Sequence, residues 1–543
     1  MSAPYPTYGE DAMEVDTGDL TLRLPPETVA LVIGFLELPE LIKSSLVCKR
    51  WRETAFAHRN YWSEIEVTEA QAKTDASVAA AIELAVAQLT RSTAHPVIVN
   101  ICLRKTPATI DSLLRALADN LHRVNDLIVA LDKDLQLPVY EALARPAPLM
   151  ETLAVELHGA EPSTTLPTNF LGGHAPRLNH LILRNIQLPA EPMAHLTHVP
   201  ELALVSLQAK TQDIPPQSLN FPSHIFGHFN NLVQLEINAY PWFAVPDSAD
   251  PLMAQGLARL QRMHLWNSPP IRFLEWPEVH NISKISIYEP DHHILPYLVA
   301  HLPGELALST DHVAGHQFLT VMTALTALNF MPERRKIPDG IGVPATPVSF
   351  PGLHLRKFLF DREECALNSV VVAQLRLGGL YTRLGMIAIP AFYLPGVLMN
   401  MRAVQLPALR EIVVRTRGDL FDIPGGGFLE LPALERIVLE SGLGASSDPK
   451  QAPWIDHEAE DVFELLQLIV PPANLGKFEL ELYRVNVVNM TEELWATGVV
   501  SRMFFTPGTN PGGINWGDKS MISWNVANYV ERSEQEAIIG QRT

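Results

Sequence analysis

The first pattern of apolar and polar positions along the chain is that of three short amphipathic helices. The first shows the i, i+3, i+4, i+7 spacing of one apolar face, which is carried by Val29, Val32, Ile33 and Leu36. A second helix begins at Pro39, and a third spans residues 48–57. A module of about 40 residues buries too little apolar surface to be stable alone. We therefore expect a partner or the following domain to cover it.

A further helix is predicted over residues 70–89, where alanine, the best helix former, is frequent. Its apolar face carries Val78, Ile82, Ala85 and Leu89. We expect this helix to link the N-terminal module to the rest of the chain.

From residue 96 onward, an apolar triple with the spacing i, i+3, i+5 recurs along the chain. Successive copies are Ile98/Ile101/Leu103, Val124/Leu127/Val129, Met150/Leu153/Val155, Leu178/Leu181/Leu183, Leu202/Val205/Leu207, Leu232/Leu235/Ile237, Leu260/Met263/Leu265 and Ile282/Ile285/Ile287. Less regular copies are Leu325/Leu328/Phe330, Leu355/Phe358/Phe360 and Leu475/Phe478/Leu480. Two further segments, LPALREIVV at 406–414 and LPALERIVL at 431–439, agree at six of nine positions. A period of about 20 to 30 residues indicates stacked units that cannot bury their own faces.

This pattern resembles leucine-rich repeats of a degenerate, intracellular type. The resemblance implies that the last two apolar residues of each triple lie on one side of a short strand, and that these strands stack in parallel. The expected fold class is α/β: a small three-helix module followed by an irregular leucine-rich-repeat-like solenoid with a curved parallel sheet. The Asn or Cys expected after each strand is mostly missing, and the intervals are irregular. A generic α/β fold with chance leucine spacing is therefore the alternative.

The N-terminal module also carries a series of short motifs. In chain order they are Leu24-Pro25-Pro26-Glu27, Phe35-Leu36, Leu38-Pro39-Glu40-Leu41, Val47-Cys48-Lys49-Arg50-Trp51 and Tyr61-Trp62. Their order and spacing resemble the F-box family. Two positions depart from its pattern: Thr28 replaces the usual Ile or Leu, and Gly34 lies inside the first helix, where glycine costs about 1 kcal/mol.

The F-box resemblance implies docking on the Skp-type adaptor of cullin–RING ubiquitin ligases. It assigns adaptor-facing or supporting roles to Leu24, Pro25, Val29, Ile33, Leu36, Leu41, Leu46, Val47 and Trp51. The alternative for Ile33, Leu46 and Trp51 is a place in the internal core only. The expected domains are an acidic disordered tail, the F-box, a helical linker, the repeat region, and a loop with a C-terminal tail, at 1–20, 21–66, 67–95, 96–505 and 506–543.

Charge and cysteine content narrow the class of protein. The 543-residue chain has 41 Lys and Arg against 60 Asp and Glu, a formal net charge of −19. Nucleic acids and anionic membranes attract cationic surfaces, so we expect neither as a partner. Cys48, Cys102 and Cys365 are too few for a disulfide framework and form no CxxC pair. With no signal-peptide or membrane-span pattern, the sequence predicts a cytoplasmic or nuclear protein.

Catalytic motifs are lacking in the sequence. The glycine-rich residues 508–513 are not followed by the Lys-Ser/Thr of a phosphate-binding loop, and neither GxSxG nor HExxH occurs. His292-His293 is the one adjacent histidine pair, and without Cys or spaced acids it favours a surface loop over a metal site. We therefore expect a non-enzymatic protein that uses no cofactor or metal.

A candidate binding surface follows from the repeat pattern, because residues between the buried positions of neighbouring strands point to one open face. On three successive predicted strands these positions are Gln234, Glu236, Asn238, Arg262, His264, Trp266, Lys284, Ser286 and Tyr288. Arg262, Trp266, Lys284 and Tyr288 combine cationic and aromatic groups, which are frequent interface anchors. The hypothesis is a groove for an acidic or phosphorylated peptide. The alternative is a mixed, solvated face.

The function predicted from these features is that of a substrate-recognition subunit of a Skp–cullin–F-box ubiquitin ligase. The F-box would bind the adaptor and, through it, the cullin, while the repeat region would hold an unknown protein target. One alternative is a non-ligase scaffold that uses the adaptor for assembly. The other is an enzyme of unrecognised type in the large C-terminal region.

Overall fold

The structure is a computed structural model. It describes residues 24–36, 38–58, 60–69, 74–92, 95–105, 107–159, 164–207, 221–240, 242–246, 249–266, 268–313, 316–323, 354–360, 369–391, 394, 405–416, 431–441, 455–470, 477–483, 485–489 and 502–505. The predicted tails at 1–20 and 506–543 and the triple Leu325/Leu328/Phe330 lie outside these residues. The chain divides into two compact units, Met1–Leu181 and Ile182–Thr543.

The N-terminal unit opens with four short helices. They are α1 (Pro26–Gly34), α2 (Leu38–Ser44), α3 (Lys49–Ala57) and α4 (Asn60–Ser63). Pro26 lies in the first turn of α1, where its missing N–H leaves no helical hydrogen bond unmade. Helix α3 begins one residue later than predicted, because Cys48 has an extended backbone and forms the N-cap. The three predicted helices are confirmed, and α4 is an addition.

Helix α5 (Asp75–Arg91) follows the helical module. It begins at a capping box in which the Thr74 hydroxyl accepts the Ser77 N–H (3.2 Å) and the Ser77 hydroxyl accepts the Thr74 N–H (3.0 Å). The predicted apolar face is buried at Ile82, Ala85 and Leu89. The buried Gln88 side chain donates to the Tyr61 carbonyl at 3.1 Å, which fixes α5 to the helical module.

The same unit contains a parallel sheet of four strands. In spatial order they are β1 (Glu64–Thr68), β2 (Val97–Cys102), β3 (Val124–Asp132) and β4 (Thr152–His158). The remaining elements are α6 (Ile110–Asn120), α7 (Gln136–Ala142), the short strand β5 (Thr164–Thr165) and β6 (His180–Arg184), whose residues span the boundary between the units. Strand residues alternate between buried apolar positions and an outward face, the period-two pattern expected of strands.

The C-terminal unit repeats the strand-and-connection pattern. Its first elements are β7 (Ile186–Gln187), β8 (Glu201–Leu207), α8 (Ile225–His228), β9 (Gln234–Tyr240), α9 (Pro251–Leu257), β10 (Arg262–Trp266), α10 (Ile271–Leu274), α11 (Pro277–His280), β11 (Lys284–Tyr288) and α12 (Leu295–Ala300). There follow β12 (Leu306–Val313), β13 (His316–Thr323), β14 (Leu355–Phe360), α13 (Ser369–Leu377), α14 (Leu380–Arg383) and β15 (Leu384–Pro390). The last are β16 (Glu411–Thr416), β17 (Arg436–Ser441), β18 (Ile455–Glu458), α15 (Ala459–Ile469), β19 (Glu479–Tyr483), β20 (Val485–Val488) and β21 (Arg502–Phe505).

Most strands of this unit lie in one sheet, whose spatial order departs from chain order at a single place; β18 and β20 form a separate two-stranded parallel sheet. Strands β8, β9, β10 and β11 are parallel neighbours, and so are β15, β16, β17, β19 and β21. Between these groups lie β14, β13 and β12, in that order and antiparallel to one another. Strand β14 pairs in parallel with β11, and β12 pairs in parallel with β15. The expected class, α/β with an N-terminal helical segment and a large parallel sheet, is therefore confirmed, with this antiparallel insertion as a departure.

The register of the parallel strands aligns the predicted apolar triples. Leu235 of β9, Met263 of β10 and Ile285 of β11 face one another and are buried. In most copies the first apolar residue donates its N–H to the carbonyl three residues earlier, so the same turn precedes each of these strands. These residues are Met150, Leu178, Leu232, Leu260, Ile282, Leu409 and Leu434. The two matched segments at 406–414 and 431–439 thus open with the same turn.

Four of the predicted triples are out of register with the strands. In β2 the pair aligned with the apolar pairs of the neighbouring strand is Val99 and Ile101, and in β8 it is Leu202 and Leu204. In β19 the aligned pair is Leu480 and Leu482, two residues later than the spacing predicts. Counting apolar residues fails here because a neighbouring outward apolar residue, such as Ile98, completes the same spacing by chance.

The fourth exception places an arginine in the core. Arg356 of β14 lies opposite Ile285, the position that apolar side chains hold in the adjacent strands, and is 1% exposed. Its guanidinium donates to the carbonyls of Ile282 (2.9 Å), His280 (3.1 Å) and Ser283 (3.4 Å). A buried polar group is tolerated when it is hydrogen-bonded, and these carbonyls lie at the end of the preceding turn. Burial nevertheless lowers the Arg356 pKa to about 9.

Candidate functional site

The N-terminal helices form a small core with its own aromatic cluster. The fully or largely buried side chains are Val29, Ile33, Leu41, Ala55 and Tyr61, and those packed half-buried against them are Leu36, Ile42, Trp51 and Trp62. The Phe56 ring contacts Tyr61 edge-on at 4.8 Å between centroids. Burial raises the Tyr61 pKa, while its hydrogen bond to Ser45 acts in the opposite direction.

The core assigns different roles to the nine residues predicted to face or support the adaptor surface. Val29, Ile33 and Leu41 are wholly buried, so they support the helices and present no surface. Leu36 and Trp51 are half-buried against the same core. The remaining four are exposed: Leu24, Pro25, Leu46 and Val47. For Ile33, Leu46 and Trp51, the sequence left open a place in the internal core only. Ile33 is in the core, whereas Leu46 is 71% exposed.

Two groups of large apolar side chains remain uncovered on this module. In and just after α1, Leu31 is 66% exposed and Phe35 is 87% exposed. They are four residues apart, so they lie on the same side of the helix, with exposed Val32 beside them. At the turn between α2 and α3, Leu46 and Val47 are also exposed. Exposed apolar groups in such density mark an interaction surface.

Leu31, Val32 and Phe35 were not among the nine predicted positions. The signal that could have found them is the apolar content of α1, which exceeds what one buried face requires: three further apolar residues remain after Val29, Ile33 and Leu36 are placed.

Hydrogen bonds to the backbone hold the exposed residues in place. The Arg50 guanidinium donates to the Leu24 carbonyl, which fixes the segment before α1 against the start of α3. Arg52 Nε donates to the Ser45 carbonyl at 3.0 Å and holds the turn that carries Leu46 and Val47. The Trp62 indole N–H donates to the Phe56 carbonyl at 2.6 Å. The surface is therefore preorganised and needs little ordering on binding.

A second candidate surface lies on the polar side of β9, β10 and β11 in the C-terminal unit. Register places Arg262 opposite Lys284 and Trp266 opposite Tyr288, so the four predicted residues come together. The indole of Trp266 stacks on the ring of Tyr288 with centroids 4.2 Å apart. The indole N–H donates to Glu236 at 2.8 Å, and Arg262 pairs with Glu201 at 3.1 Å.

The electrostatics of this surface combine both signs of charge. Burial lowers the Lys284 pKa, and the adjacent Arg262 lowers it further. Burial also raises the Tyr288 pKa, with Glu236 as the second cause. Glu201 was missed by the sequence analysis; the alignment of β8 with β9 is the signal that brings it to this face.

No group of three or more His, Cys, Asp or Glu in the described part of the chain is placed to hold a metal ion. No helix within those residues has the length and apolar character to cross a bilayer. His292 and His293 lie in a short turn in which the Asp291 carboxylate accepts the His293 N–H. Cys48 and Cys102 take part in no disulfide among the described residues, and Cys365 lies outside them.

Comparison with known proteins bears on the helical module. The F-box-like family model matches residues 21–66, the segment that contains α1, α2, α3 and α4. No curated protein matches the chain significantly. The matched segment encloses all four helices, which span residues 26–63. Residues 21–66 are therefore an F-box-like domain, which supports the resemblance of the chain to F-box proteins.

Proposed function

We propose that the chain is the non-catalytic, substrate-recognition subunit of a Skp–cullin–F-box ubiquitin ligase. The observation that carries the proposal is the set of large apolar side chains that the F-box-like domain leaves exposed, above all Phe35 and Leu46. Burying one such side chain against a partner contributes about 1.5 to 3 kcal/mol. A few of them are enough to anchor a stable complex, because a small number of central residues usually carry most of the binding energy.

In this proposal, different residues stabilise the domain and bind the adaptor. Val29, Ile33 and Leu41 hold the helices together, while Leu31, Phe35, Leu46 and Val47 remain available. An adaptor of the Skp type would cover these exposed groups and, through its own contacts, connect the chain to a cullin.

The C-terminal unit is the target-binding part of the proposal. The recurring turn before each strand and the aligned apolar pairs support a leucine-rich-repeat-like solenoid. The surface formed by Arg262, Trp266, Lys284 and Tyr288 is the proposed contact with the target protein. The chain needs no nucleophile for this function, because it raises the effective concentration of a target lysine near an enzyme bound elsewhere in the assembly.

The proposal is tested by co-expressing the full chain with a Skp-type adaptor and measuring co-purification of the adaptor and of a cullin. Phe35→Asp and Leu46→Asp are the test variants, because both side chains are exposed and neither is part of the core. Leu137→Asp is the matched control: Leu137 is also a highly exposed leucine, but it lies in α7.

We expect the parent and Leu137→Asp to retain adaptor and cullin, and the two test variants to lose both by at least tenfold. Equal retention by all four proteins would overturn the docking role. Retention of adaptor without cullin would replace the ligase role with that of a scaffold. Target ubiquitination in a reconstituted ligase then tests the receptor role directly.

A further inference from the structure

Within the described residues of the N-terminal unit, one face of the sheet carries exposed apolar side chains that the helices do not cover. Its inward positions are buried apolar residues such as Val99, Leu127 and Leu153. On the other face, Ile98 is 44% exposed and Ile128 is 42% exposed. Parallel sheets generally have both faces covered, so two exposed isoleucines in the middle of this sheet indicate a surface that receives a partner.

The register of the strands surrounds these isoleucines with acidic groups. Ile98 of β2 lies directly between Glu64 of β1 and Asp126 of β3. Ile128 lies between Asn100 of β2 and Ala154 of β4, so small and apolar groups continue across the sheet. Ile98 and Ile128 thus form a small apolar strip that is bordered by the carboxylates of Glu64 and Asp126.

The charge of this face has one sign. Its outward carboxylates are Glu64, Glu66, Asp126, Asp132 and Glu156, and none of the four strands contains a lysine or an arginine. Several of these carboxylates, Glu66 among them, already have a partner within the chain. Asp126 accepts a hydrogen bond from the Asn125 side chain at 2.9 Å, Asp132 caps a turn, and Glu156 contacts His158 at 3.2 Å. Arg123 directly precedes β3, but its buried guanidinium donates to the carbonyls of Leu89 and Ser92. Arg104, Lys105 and Lys133 follow the ends of β2 and β3 and are not part of them.

We propose that this outward face of β1 to β4 binds a basic segment of a partner protein. Lysine or arginine side chains of the segment would lie on Glu64 and Asp126, which flank Ile98, and its apolar side chains on Ile98 and Ile128. Charge complementarity selects this occupant. The chain's own N-terminal residues do not suit the face, because residues 1–20 contain acids and no lysine or arginine. The inference concerns a surface other than the adaptor site and holds whether or not the adaptor binds.

The test selects peptides from a random library of 12-residue sequences displayed on phage, with the full chain as bait. Binding of each selected peptide is then measured by fluorescence anisotropy to three variants. Glu64→Lys/Asp126→Lys reverses the charges beside Ile98, and Ile128→Ser removes the apolar contact. Glu83→Lys/Asp111→Lys makes the same change of net charge at exposed positions of α5 and α6. Thermal melts verify that all three variants are folded.

We expect selected peptides in which several Lys or Arg alternate with apolar residues. Their dissociation constants should rise tenfold or more with Glu64→Lys/Asp126→Lys, several-fold with Ile128→Ser, and less than twofold with the helix control. Binding should also weaken as salt is raised, because exposed charges are screened. The proposal is overturned if every selected peptide binds the sheet variants and the helix control with the same affinity. Such peptides would be attracted by the net negative charge of the protein and not by this face. Face-dependent peptides without an excess of Lys and Arg would also overturn it.

Discussion

The Trp266 indole and the Tyr288 ring stack almost parallel on adjacent strands, with their planes 11° apart. Neither ring can turn freely, because the Trp266 indole is also hydrogen-bonded to Glu236 and both side chains are half-buried. Parallel register fixes the pair to the backbone of β10 and β11. An immobilised aromatic pair beside Arg262 and Lys284 loses little entropy when it binds, which is the property expected of an interface anchor.

The first prediction concerns target binding by this surface. The full-length Arg262→Ala/Trp266→Ala variant should lose target proteins that co-purify with the parent chain from cells, by about tenfold or more, since each anchor contributes about 1 to 2 kcal/mol. Quantitative mass spectrometry of the co-purified proteins gives the measurement. Arg177→Ala/Leu137→Ala is the control, because it removes a cation and an apolar group at exposed positions of the N-terminal unit. Recovery of the same proteins in the same amounts would exclude this surface as the target site.

The second prediction concerns the buried Arg356. Arg356→Ala should lower the free energy of unfolding by about 3 to 5 kcal/mol, because it leaves a cavity and removes the donors to the carbonyls of Ile282 and His280. Arg356→Met fills most of the space and should cost less. Urea unfolding of the full chain measures both. The exposed Arg376→Ala, in the same unit, should change the free energy of unfolding by less than about 0.5 kcal/mol. An equal loss in Arg356→Ala and Arg376→Ala would contradict this explanation.

The third prediction is a loss of stability on mild acidification. The pKa values of His280, His301 and His354 lie below 6.5, and burial is the largest cause of each shift. The positive charge of Arg356 lowers all three pKa values further. The folded protein therefore keeps these rings neutral, while the unfolded chain takes up protons as the pH falls below about 6.5. Because the unfolded state binds more protons, the free energy of unfolding decreases as the pH is lowered through that window.

Urea midpoints at pH 7.5 and 5.5 measure this effect. The drop should be smaller in His301→Gln/His354→Gln than in the parent, and unchanged in the exposed-site variant His174→Gln. A drop of the same size in all three proteins would show that other groups are responsible.

The fourth prediction compares two helical glycines. A Cβ at Gly256 of α9 would lie 2.0 Å from the fully buried Phe226 ring, so Gly256→Ala should destabilise the protein by about 1 to 3 kcal/mol. A Cβ at Gly227 of α8 would meet its nearest neighbour at 3.6 Å, an ordinary contact. Gly227→Ala should therefore be neutral or stabilising, by up to about 1 kcal/mol. Thermal or urea unfolding of the two variants checks the difference, and equal effects would refute the packing argument.

The sequence was sufficient for features that depend on local spacing. The triples that become β3, β9, β10 and β11 fold as predicted, because strand periods act directly on the order of residues. Of the predicted apolar face of α1, Val29, Ile33 and Leu36 pack in or against the core, whereas Val32 is exposed. The face that carries Trp266 and Tyr288 follows from the same alternation. The spacing could not predict the place of Arg356, because a guanidinium can take a core position only if carbonyls from another turn are aimed at it.

Exposure was the other property that the sequence could not supply. Phe35 and Leu36 are adjacent, apolar and similar in pattern, yet only Leu36 packs against the helical core. Ile98 likewise continues the spacing of a buried triple while it points outward. Which of two neighbouring apolar residues is covered depends on the angle at which a second element packs, and this angle is a property of the tertiary structure.

The antiparallel insertion β14–β13–β12 also has a consequence for protein synthesis. Strand β11 ends at Tyr288, but its neighbour β14 begins only at Leu355. At roughly 5 to 20 residues per second, a ribosome needs about 3 to 13 s to make that stretch. During this time β11 emerges as an open sheet edge, the kind of edge that invites pairing with other chains. The nascent C-terminal unit is therefore most exposed to aggregation, and most in need of chaperones, during translation of the residues between Tyr288 and Leu355.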